Sequence, residues 1–508
     1  MKRFLKALFH RLVLTVIALL LQAALLVLMV VYFRDMFMFF YGISSGIGLI
    51  VTFYIVNQRS NPGYKIAWII PVLVIPVFGT LAFLLFGCGQ PSRSAMRRIK
   101  KMEDRLKKEL PPSPDISEEI RALNEDAYNQ AHYIENFASS PAYKGTSLEY
   151  LPMGEIKFRR MKEELETASR FIFLEYFIIQ PGVMWNEILD ILKRKVKQGV
   201  DVRVIFDDVG CIQTLPYRYD KKLRDMGIKC VVFNKFLPIL SSSLNNRDHR
   251  KICVIDGNVG ITGGINLADE YINVYEKHGH WKDTSILLRG QAVWSLTVMF
   301  LTMWQLITGK NEDFSVFRPD KNIAADNGYV VPYSDIPIGD EPVGETVYLN
   351  MFMRANKYLY ITTPYLIIDN EIVTALVSAA KSGVDVRIIT PHVPDKVYVH
   401  AVTRSYYKNL IEAGVRIFEY TPGFIHAKTV VCDGLFATVG TINLDYRSLY
   451  LHFECGVFIF ASDVISDIRE DFMRTLEKCE EITMEKCLRV PFLKRVVRGF
   501  LKIFAPLM

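Results

Sequence analysis

Two stretches of this 508-residue chain repeat one pattern of polar residues. In each stretch a Lys follows a His by two positions, an Asp follows it by seven and an Asn by seventeen. The first copy is His249, Lys251, Asp256 and Asn266, and the second is His426, Lys428, Asp433 and Asn443. A phosphodiester needs its oxygens neutralised as a pentacoordinate transition state forms, and two lysines with two asparagines supply the donors without a metal. One neutral imidazole can attack phosphorus while the other, protonated, gives its proton to the departing alkoxide. The pattern therefore predicts phosphodiester transfer in two steps through a phosphohistidine.

A carboxylate is expected behind each catalytic imidazole, where it fixes the tautomer and supports the protonated ring. Each repeat supplies one candidate, Asp283 in HWKDTSILL and Glu454 in HFECGVFIF, at the start of a predicted strand. The aspartate of each motif precedes a glycine, and an Asp in that position commonly forms a turn. Asp256 and Asp433 are therefore catalytic candidates with a turn-forming role as the alternative.

The motifs lie within a longer internal repeat. QGVDVRVIFDD at 198–208 matches SGVDVRIITPH at 382–392, and each is preceded by an apolar strand-like run and an amphipathic helical stretch. Strands that alternate with such helices predict βαβ units and a mostly parallel sheet covered by helices. Residues i and i+2 of a strand share a face, so each His and its Lys should point together into the cleft. The sequence thus predicts an α/β fold of two lobes, related by a pseudo-twofold axis that brings the motifs face to face.

Residues 1–90 are predicted to form a membrane segment. Three apolar runs, near 12–33, 36–56 and 66–87, are long enough to cross the hydrocarbon core as helices. A dense basic cluster follows the third run, which places the catalytic lobes on the cytoplasmic side of a multi-pass cell-membrane protein. Basic residues also precede the first run, so an interfacial or re-entrant position is the alternative for 12–33.

The rest of the chain divides into four predicted parts. They are a charged linker over 91–134, a first lobe over 135–325, a second lobe over 326–488 and a basic amphipathic helix over 489–508. The linker should contain a solvated helix that ends at the prolines of ELPPSPD. The C-terminal helix is expected to lie on anionic lipid. Packing onto the catalytic domain is the alternative, and a docked helix can do both.

Composition narrows the classes of partner and cofactor. The formal net charge is +7 and 50% of the residues are hydrophobic, which suits a chain that is partly in lipid and has an anionic partner. The eight cysteines show no CxxC pair and no zinc-ligand spacing, so no metal or other cofactor is expected. Unpaired thiols in apolar runs are typical of a reducing compartment. A nucleic-acid-binding module is the rival class, and the apolar runs and the lack of a basic, aromatic-interleaved stripe argue against it.

On these motifs the chain resembles the phospholipase D superfamily and, within it, the bacterial cardiolipin synthases. The superfamily resemblance covers roughly 135–485, and the synthase resemblance adds NPGYKIAWIIPVLVIPVFGTLAFLLFG at 61–87. It implies two phospholipase D-like lobes with His249 as nucleophile and His426 as general acid and base, an assignment that could be reversed. It also implies that Lys251, Lys428, Asn266 and Asn443 bind the substrate phosphate, without a metal. The chain departs from the superfamily at Gly264, where Ser is frequent in the first motif, and from the synthases in its extra apolar run at 12–33.

The resemblance implies a transferase that moves a phosphatidyl group from one phosphatidylglycerol to another, giving cardiolipin and glycerol. Its partners would be phosphatidylglycerol and anionic membrane lipid. The alternative within the same class is a membrane phospholipase D, or a phosphatidyltransferase that uses another alcohol such as serine or ethanolamine. Product analysis separates them, because hydrolysis gives phosphatidic acid and transfer gives a four-chain lipid.

Overall fold

A computed structural model describes residues 37–87, 93–235, 245–319, 328–337 and 341–507, together with the single positions 20, 24, 27, 28 and 31. The helices of the described residues are α1 (Phe37–Asn57), α2 (Pro62–Val74), α3 (Pro76–Ala82), α4 (Arg93–Glu109), α5 (Pro114–Leu123), α6 (Glu125–Phe137), α7 (Gly154–Thr167), α8 (Val183–Lys197), α9 (Tyr219–Asp225), α10 (Val293–Thr308), α11 (Val343–Arg354), α12 (Asn370–Lys381), α13 (Val397–Glu412), α14 (Tyr446–Tyr450), α15 (Val464–Leu476), α16 (Met484–Leu488) and α17 (Phe492–Ile503).

The strands of the described residues are β1 (Tyr143–Lys144), β2 (Thr146–Leu151), β3 (Phe171–Tyr176), β4 (Asp201–Asp207), β5 (Lys229–Phe233), β6 (Arg247–Asp248), β7 (Lys251–Ile255), β8 (Val259–Gly263), β9 (His280–Lys282), β10 (Ser285–Gly290), β11 (Tyr329–Asp335), β12 (Tyr358–Thr362), β13 (Leu366–Ile367), β14 (Asp385–Pro391), β15 (Arg416–Tyr420), β16 (Gly423–Ile425), β17 (Thr429–Cys432), β18 (Phe436–Gly440), β19 (Leu444–Asp445), β20 (His452–Phe460) and β21 (Cys479–Ile482).

Two large sheets repeat the same strand order. The first is β2-β10-β8-β7-β3-β4-β5, and the second places β11-β20-β18-β17-β12-β14-β15 in the corresponding positions. Strand β1 extends the second sheet at one edge and β21 at the other. The predicted repeat of two α/β lobes is therefore confirmed.

The prediction of mostly parallel sheets is wrong. Along the two strand orders given above, only β3-β4-β5 and their counterparts β12-β14-β15 pair in parallel, and helices cross between these strands. The motif strands β7 and β8 form an antiparallel hairpin, as do β17 and β18, and each hairpin continues antiparallel into β10 or β20. Short turns join each hairpin, and a short turn can only connect antiparallel neighbours.

The two sheets share one apolar core. Ile252 and Ile286 of the first sheet pack in the same buried cluster as Val431 and Val457 of the second. Helix α10 lies in this cluster and is buried along most of its length. Other helices, among them α8 on the first sheet and α12 on the second, cover the outer faces. A continuous core rather than a tether therefore joins the lobes.

The N-terminal helices form a compact unit in which α1 packs on α2 and α3. The predicted span at 66–87 is not a single helix, because the chain bends at Ile75 between α2 and α3 and ends in a π-helical turn over Phe83–Gly87. Pro71 and Pro76 lack the N–H that a continuous helix needs. A Cβ on Gly79 would lie 2.0 Å from the Pro71 carbonyl oxygen, so only glycine permits the two helices to approach this closely.

The predicted span at 36–56 corresponds to α1, and the one at 12–33 lies outside the described residues apart from the single positions. Among the residues that the structure describes, no helix combines the length and the apolar character needed to cross a membrane, and the predicted spans are not confirmed.

The described part of the predicted linker, residues 93–134, is not a solvated segment. Helix α4 buries Met102 and Leu106, followed by Leu110, in the core shared by the two sheets. These residues recur every fourth position and form an apolar stripe that the alternating charges obscure in the sequence. Helix α6 buries Ala131 and Ile134 against the second lobe. This segment is therefore part of the packed body.

Candidate active site

Two short strand pairs carry the chain from one lobe to the other immediately before each motif histidine. Strand β6 pairs in parallel with the start of β20 in the second lobe, and β16 pairs in parallel with β9 of the first. His249 and His426 follow these crossing strands, in the gaps before β7 and β17. The prediction that one strand carries both His and Lys is therefore wrong, because the chain must leave the opposite lobe before it enters its own hairpin.

The crossing strands place each histidine beside a carboxylate of the opposite lobe. Nδ1 of His249 lies 2.9 and 3.0 Å from the two carboxylate oxygens of Glu454, and its backbone N–H donates to the Phe453 carbonyl at 2.9 Å. Nδ1 of His426 lies 2.6 Å from Oδ2 of Asp283, and its backbone N–H donates to the Lys282 carbonyl at 2.7 Å. With Nδ1 held in this way, Nε2 is the ring nitrogen left for chemistry.

The residue after each hairpin is Gly264 in the first lobe and Thr441 in the second, and the neighbouring carboxylate explains the difference. A Cβ on Gly264 would lie 2.1 Å from a carboxylate oxygen of Asp283, so this position has no room for a side chain. In the second lobe the hydroxyl of Thr441 donates to Glu454. The departure at Gly264 is therefore linked to the position of the Asp283 carboxylate.

Lys251 and Lys428 are buried beside the histidines of their own motifs. Nζ of Lys251 donates to the His249 carbonyl at 2.5 Å, and Nζ of Lys428 donates to the His426 carbonyl. Burial lowers the pKa of Lys251 to about 8 and that of Lys428 to about 7. Because an ammonium has three donor hydrogens, each lysine keeps donors for an anionic oxygen.

Burial lowers the pKa of both histidines well below the ordinary value, and the lysines of both motifs add to the effect. The charge of Lys428 lowers the pKa of His249, and the charge of Lys251 lowers the pKa of His426. Each lysine thus acts on the histidine of the other motif, so the two motifs surround a single site. Burial also raises the pKa of Asp283 to about 7, against the opposing charge of Lys428. A phosphodiester anion placed in this site would favour the protonated lysines and return a proton to one imidazole.

The two asparagines are held by neighbouring hydroxyls. Nδ2 of Asn266 donates to the hydroxyl of Tyr271 at 2.7 Å, and its Oδ1 accepts from the Ile178 N–H at 3.0 Å. Nδ2 of Asn443 donates to the hydroxyl of Ser448 at 3.0 Å. Each amide carries two N–H donors, and these two contacts account for one donor of each.

The motif aspartates do not join the site. Asp256 lies at the far end of β7 from His249, and its carboxylate accepts from the backbone N–H groups of Ser169, Arg170 and Phe171, each at 2.8 Å. Asp433 holds the corresponding backbone N–H groups before β12. Both aspartates adopt positive φ, as turn residues do. The strand between each aspartate and the imidazole of its motif is roughly 20 Å long. Asp256 and Asp433 therefore form turns, as the alternative interpretation predicted, and the prediction that they are catalytic is wrong.

Two ring side chains that the sequence did not single out also lie beside the imidazoles of the two motifs. The ring of His452 lies 5.6 Å from that of His249, and the ring of Trp281 lies 5.5 Å from that of His426. Within the described residues neither nitrogen of His452 nor Nε1 of Trp281 has a partner at hydrogen-bond distance, although Nδ1 of His452 lies 3.8 Å from a carboxylate oxygen of Glu454. Burial lowers the pKa of His452 to about 4, so its neutral ring offers one donor and one acceptor. His452 and Trp281 each lie two residues before the carboxylate that contacts a motif histidine. This shared position is the sequence signal by which both could have been predicted.

A cavity of about 1030 Å³ separates the N-terminal helices from the second lobe. One wall is formed by the connection between α1 and α2 together with the first turn of α2, and the other wall includes Asp335, Tyr450 and Leu451. The cavity reaches Asn246, three residues before His249. Asn61 bridges the two walls, because its amide donates to Asp369 at 3.1 Å and to the Tyr450 hydroxyl at 3.0 Å.

Two clusters of the described residues have the spacing of metal ligands. His249, His452 and Glu454 form one, and its carboxylate already holds His249. Glu345, Asp369 and Glu371 form the other, and Asp369 accepts hydrogen bonds from Asn61 and Tyr450. In each cluster a potential ligand is thus engaged with protein groups.

Comparison with known proteins identifies the family. The model of "Cardiolipin synthase, PLD-like domain" matches residues 161–278 and 348–476, and that of "Phospholipase D-nuclease N-terminal" matches 46–87. The chain is 35% identical to a cardiolipin synthase of Geobacillus kaustophilus over 465 residues, which is 89% of this chain and 90% of that protein. It is 43% identical to an uncharacterized protein of Streptococcus mutans over 457 residues, which is 90% of this chain and 99% of that protein.

The fold also has a match among solved structures. The phosphatidylserine synthase of Haemophilus influenzae superposes with a TM-score of 0.57 at 16% identity, over 75% of this chain and 98% of that one. At this identity the likeness concerns the fold alone. The family matches cover both motifs and the N-terminal helices, and the chain therefore belongs to the cardiolipin synthases of the phospholipase D superfamily.

Proposed function

We propose that this chain joins two phosphatidylglycerol molecules into cardiolipin and releases glycerol. The observation that carries the proposal is the reciprocal pairing of His249 with Glu454 and of His426 with Asp283 around one site. A two-step transfer needs two imidazoles with fixed tautomers, one to attack phosphorus and one to move protons. Two buried lysines between them match the negative charge of a phosphodiester.

In the first step, Nε2 of His249 attacks the phosphorus of one phosphatidylglycerol. The bond between phosphorus and the head-group glycerol oxygen breaks, and protonated His426 gives its proton to that oxygen, so that glycerol leaves. Lys251 and Lys428 bind the phosphoryl oxygens while charge accumulates on them. Glu454 stabilises the positive charge that His249 acquires on becoming phosphatidyl-histidine.

In the second step, neutral His426 removes the proton from a head-group hydroxyl of a second phosphatidylglycerol. The oxygen attacks phosphorus, the bond from phosphorus to His249 breaks, and cardiolipin leaves. Water in place of the second lipid would give phosphatidic acid. A site held at a lipid surface favours the lipid alcohol, which is concentrated there.

The N-terminal runs at 12–33, 36–56 and 66–87 are proposed to anchor the chain in the cell membrane as a multi-pass segment. Ile50, Phe53 and Val74 support this assignment, because each of these large apolar residues is about 70% exposed. The catalytic lobes are placed at the cytoplasmic face, in line with the seven free cysteines of the described residues. The cavity beside Asn61 is proposed as the route of the lipid head group, since it lies between the anchor and the strand that leads to His249.

The test is mass spectrometry of lipids after the purified full chain is incubated with phosphatidylglycerol alone. A four-chain lipid and glycerol are the expected products, and phosphatidic acid alone would show a hydrolase instead. His249→Ala and His426→Ala are each expected to abolish transfer. Glu480→Gln is the matched control, because Glu480 is an exposed carboxylate paired with Lys486. Near-native transfer by either alanine variant would disprove the proposed chemistry.

A further inference from the structure

Helix α17 docks on the second lobe with its basic side. It packs against α13, and Nζ of Lys502 lies 4.0 Å from the centroid of the Tyr406 ring. Arg498 is partly buried on the same side, and Leu501 contacts the core of the second lobe. Helices on globular proteins ordinarily turn their apolar face toward the core. The orientation of α17 is the reverse.

The apolar side chains of α17 point away from the protein. They are Phe492 (74% exposed), Leu493 (73%), Val496 (49%), Val497 (49%), Phe500 (61%) and Ile503 (38%). At 3.6 residues per turn these six positions share one face of the helix, opposite Arg498. A contiguous apolar face of this kind marks a protein or membrane interaction site.

The exposed face adjoins the N-terminal helices. Helix α17 contacts α2, and the turn after it places Leu507 against the apolar cluster of Trp68 and Phe83. Helix α2 also exposes large apolar side chains, among them Ile66 (54%) and Leu73 (45%). The apolar surface of α17 therefore continues a surface that already belongs to the family's N-terminal segment.

We propose that α17 lies in the interface of an anionic bilayer, with its apolar face among the acyl chains. Lys494 and Arg495 are exposed on the flanks of the helix, where their long side chains reach the phosphates of anionic head groups. A bilayer is a continuous apolar layer, so it covers α17 and the neighbouring N-terminal helices at once. A second copy of the chain could do so only with a complementary surface that matches both. The proposal extends the membrane attachment that is part of the proposed function, and it does not depend on any step of the proposed reaction.

Photo-crosslinking of the full chain in phosphatidylglycerol vesicles tests the proposal. The variant Phe500→p-benzoylphenylalanine places the reactive group on the apolar face, and Arg498→p-benzoylphenylalanine places it on the partly buried opposite face as the matched control. We expect position 500 to form an adduct with lipid acyl chains at least about tenfold more efficiently than position 498. The yield at position 500 should fall when phosphatidylcholine replaces phosphatidylglycerol.

The other outcomes overturn the proposal. A crosslinked dimer would identify a second copy as the occupant, and an adduct within the chain, equal yields at the two positions or no adduct would show that α17 does not enter lipid. A second variant, Val496→Glu with Phe500→Glu, keeps the proposal testable if the photoreactive residue disturbs folding. It should lose activity at least about tenfold on vesicles and keep it on phosphatidylglycerol dispersed in detergent. Because crosslinking does not require turnover, it reports on α17 even if the proposed reaction is wrong.

Discussion

Replacing Glu454 with Gln is the sharpest test of the crossed pairing between lobes. The side chain is fully buried, lies 2.9 and 3.0 Å from Nδ1 of His249, and also accepts from Thr441. Gln has the same shape but no charge, and its amide cannot support a positively charged imidazole. A hydrogen bond to a charged group contributes about 1.5–3 kcal/mol. Attack by His249 should therefore slow by about 10- to 150-fold.

The assay is the pre-steady-state release of p-nitrophenolate from phosphatidyl-p-nitrophenol. This leaving group departs without a general acid, so the first step depends on His249 and Glu454 but not on protonation by His426. Glu454→Gln should slow the burst itself. Asp283→Asn should retain a burst that matches the enzyme concentration and then stall, because His426 no longer activates the second alcohol. Glu480→Gln again serves as the control for an exposed carboxylate.

The opposite pattern would refute this reasoning. If Asp283→Asn removed the burst and Glu454→Gln preserved it, either His426 would be the nucleophile or each carboxylate would serve the histidine of its own lobe. Equal losses in both variants would show that the two imidazoles have no separable roles.

Three further outcomes are expected. Since burial lowers the pKa of Lys251 to about 8 and of Lys428 to about 7, and a phosphodiester binds their protonated forms, affinity for a phosphonate analogue should be full below pH 7 and fall as the pH rises through 7 to 8. A dissociation constant independent of pH from 6 to 9 would contradict this. Asp256→Ala removes the acceptor of three backbone N–H groups and should destabilise the fold by about 1–3 kcal/mol, while activity per folded molecule is retained; thermal unfolding and kcat measured together check it. His452→Phe keeps a ring beside His249 but removes both nitrogens, so KM for phosphatidylglycerol should rise about 2- to 13-fold with a smaller change in kcat, and an unchanged KM would leave His452 without a role in binding.

The sequence was informative where the signal was local and repeated. The duplicated DVRV and DVRI strands predicted two lobes, and Asp283 and Glu454 were expected to orient the histidines from the start of a strand. Both carboxylates do contact a motif histidine, but Asp283 lies in the gap between β9 and β10, and Glu454 is the third residue of β20. The turn chemistry of an Asp before a Gly already offered the role that Asp256 and Asp433 have in the structure.

What the sequence could not provide depends on contacts between distant residues. The pairing of β6 with β20 joins residues about 200 positions apart, and nothing in either segment records that the lobes exchange carboxylates. The stripe of Met102, Leu106 and Leu110 is visible in the sequence, but alternating charges dominate that stretch. The bend at Ile75 follows from Pro71 and Pro76 together with Gly79, whose close approach appears only when the helices are packed.

The exchange of carboxylates has a consequence for how such a molecule can arise and fail. An isolated half would hold an imidazole with no acid group to orient it, so each half needs the other against it before it can react. Fusing two such units into one polypeptide makes their meeting permanent. It also means that a substitution of the carboxylate in either half impairs the histidine of the other half, so neither half keeps its function when the other is damaged.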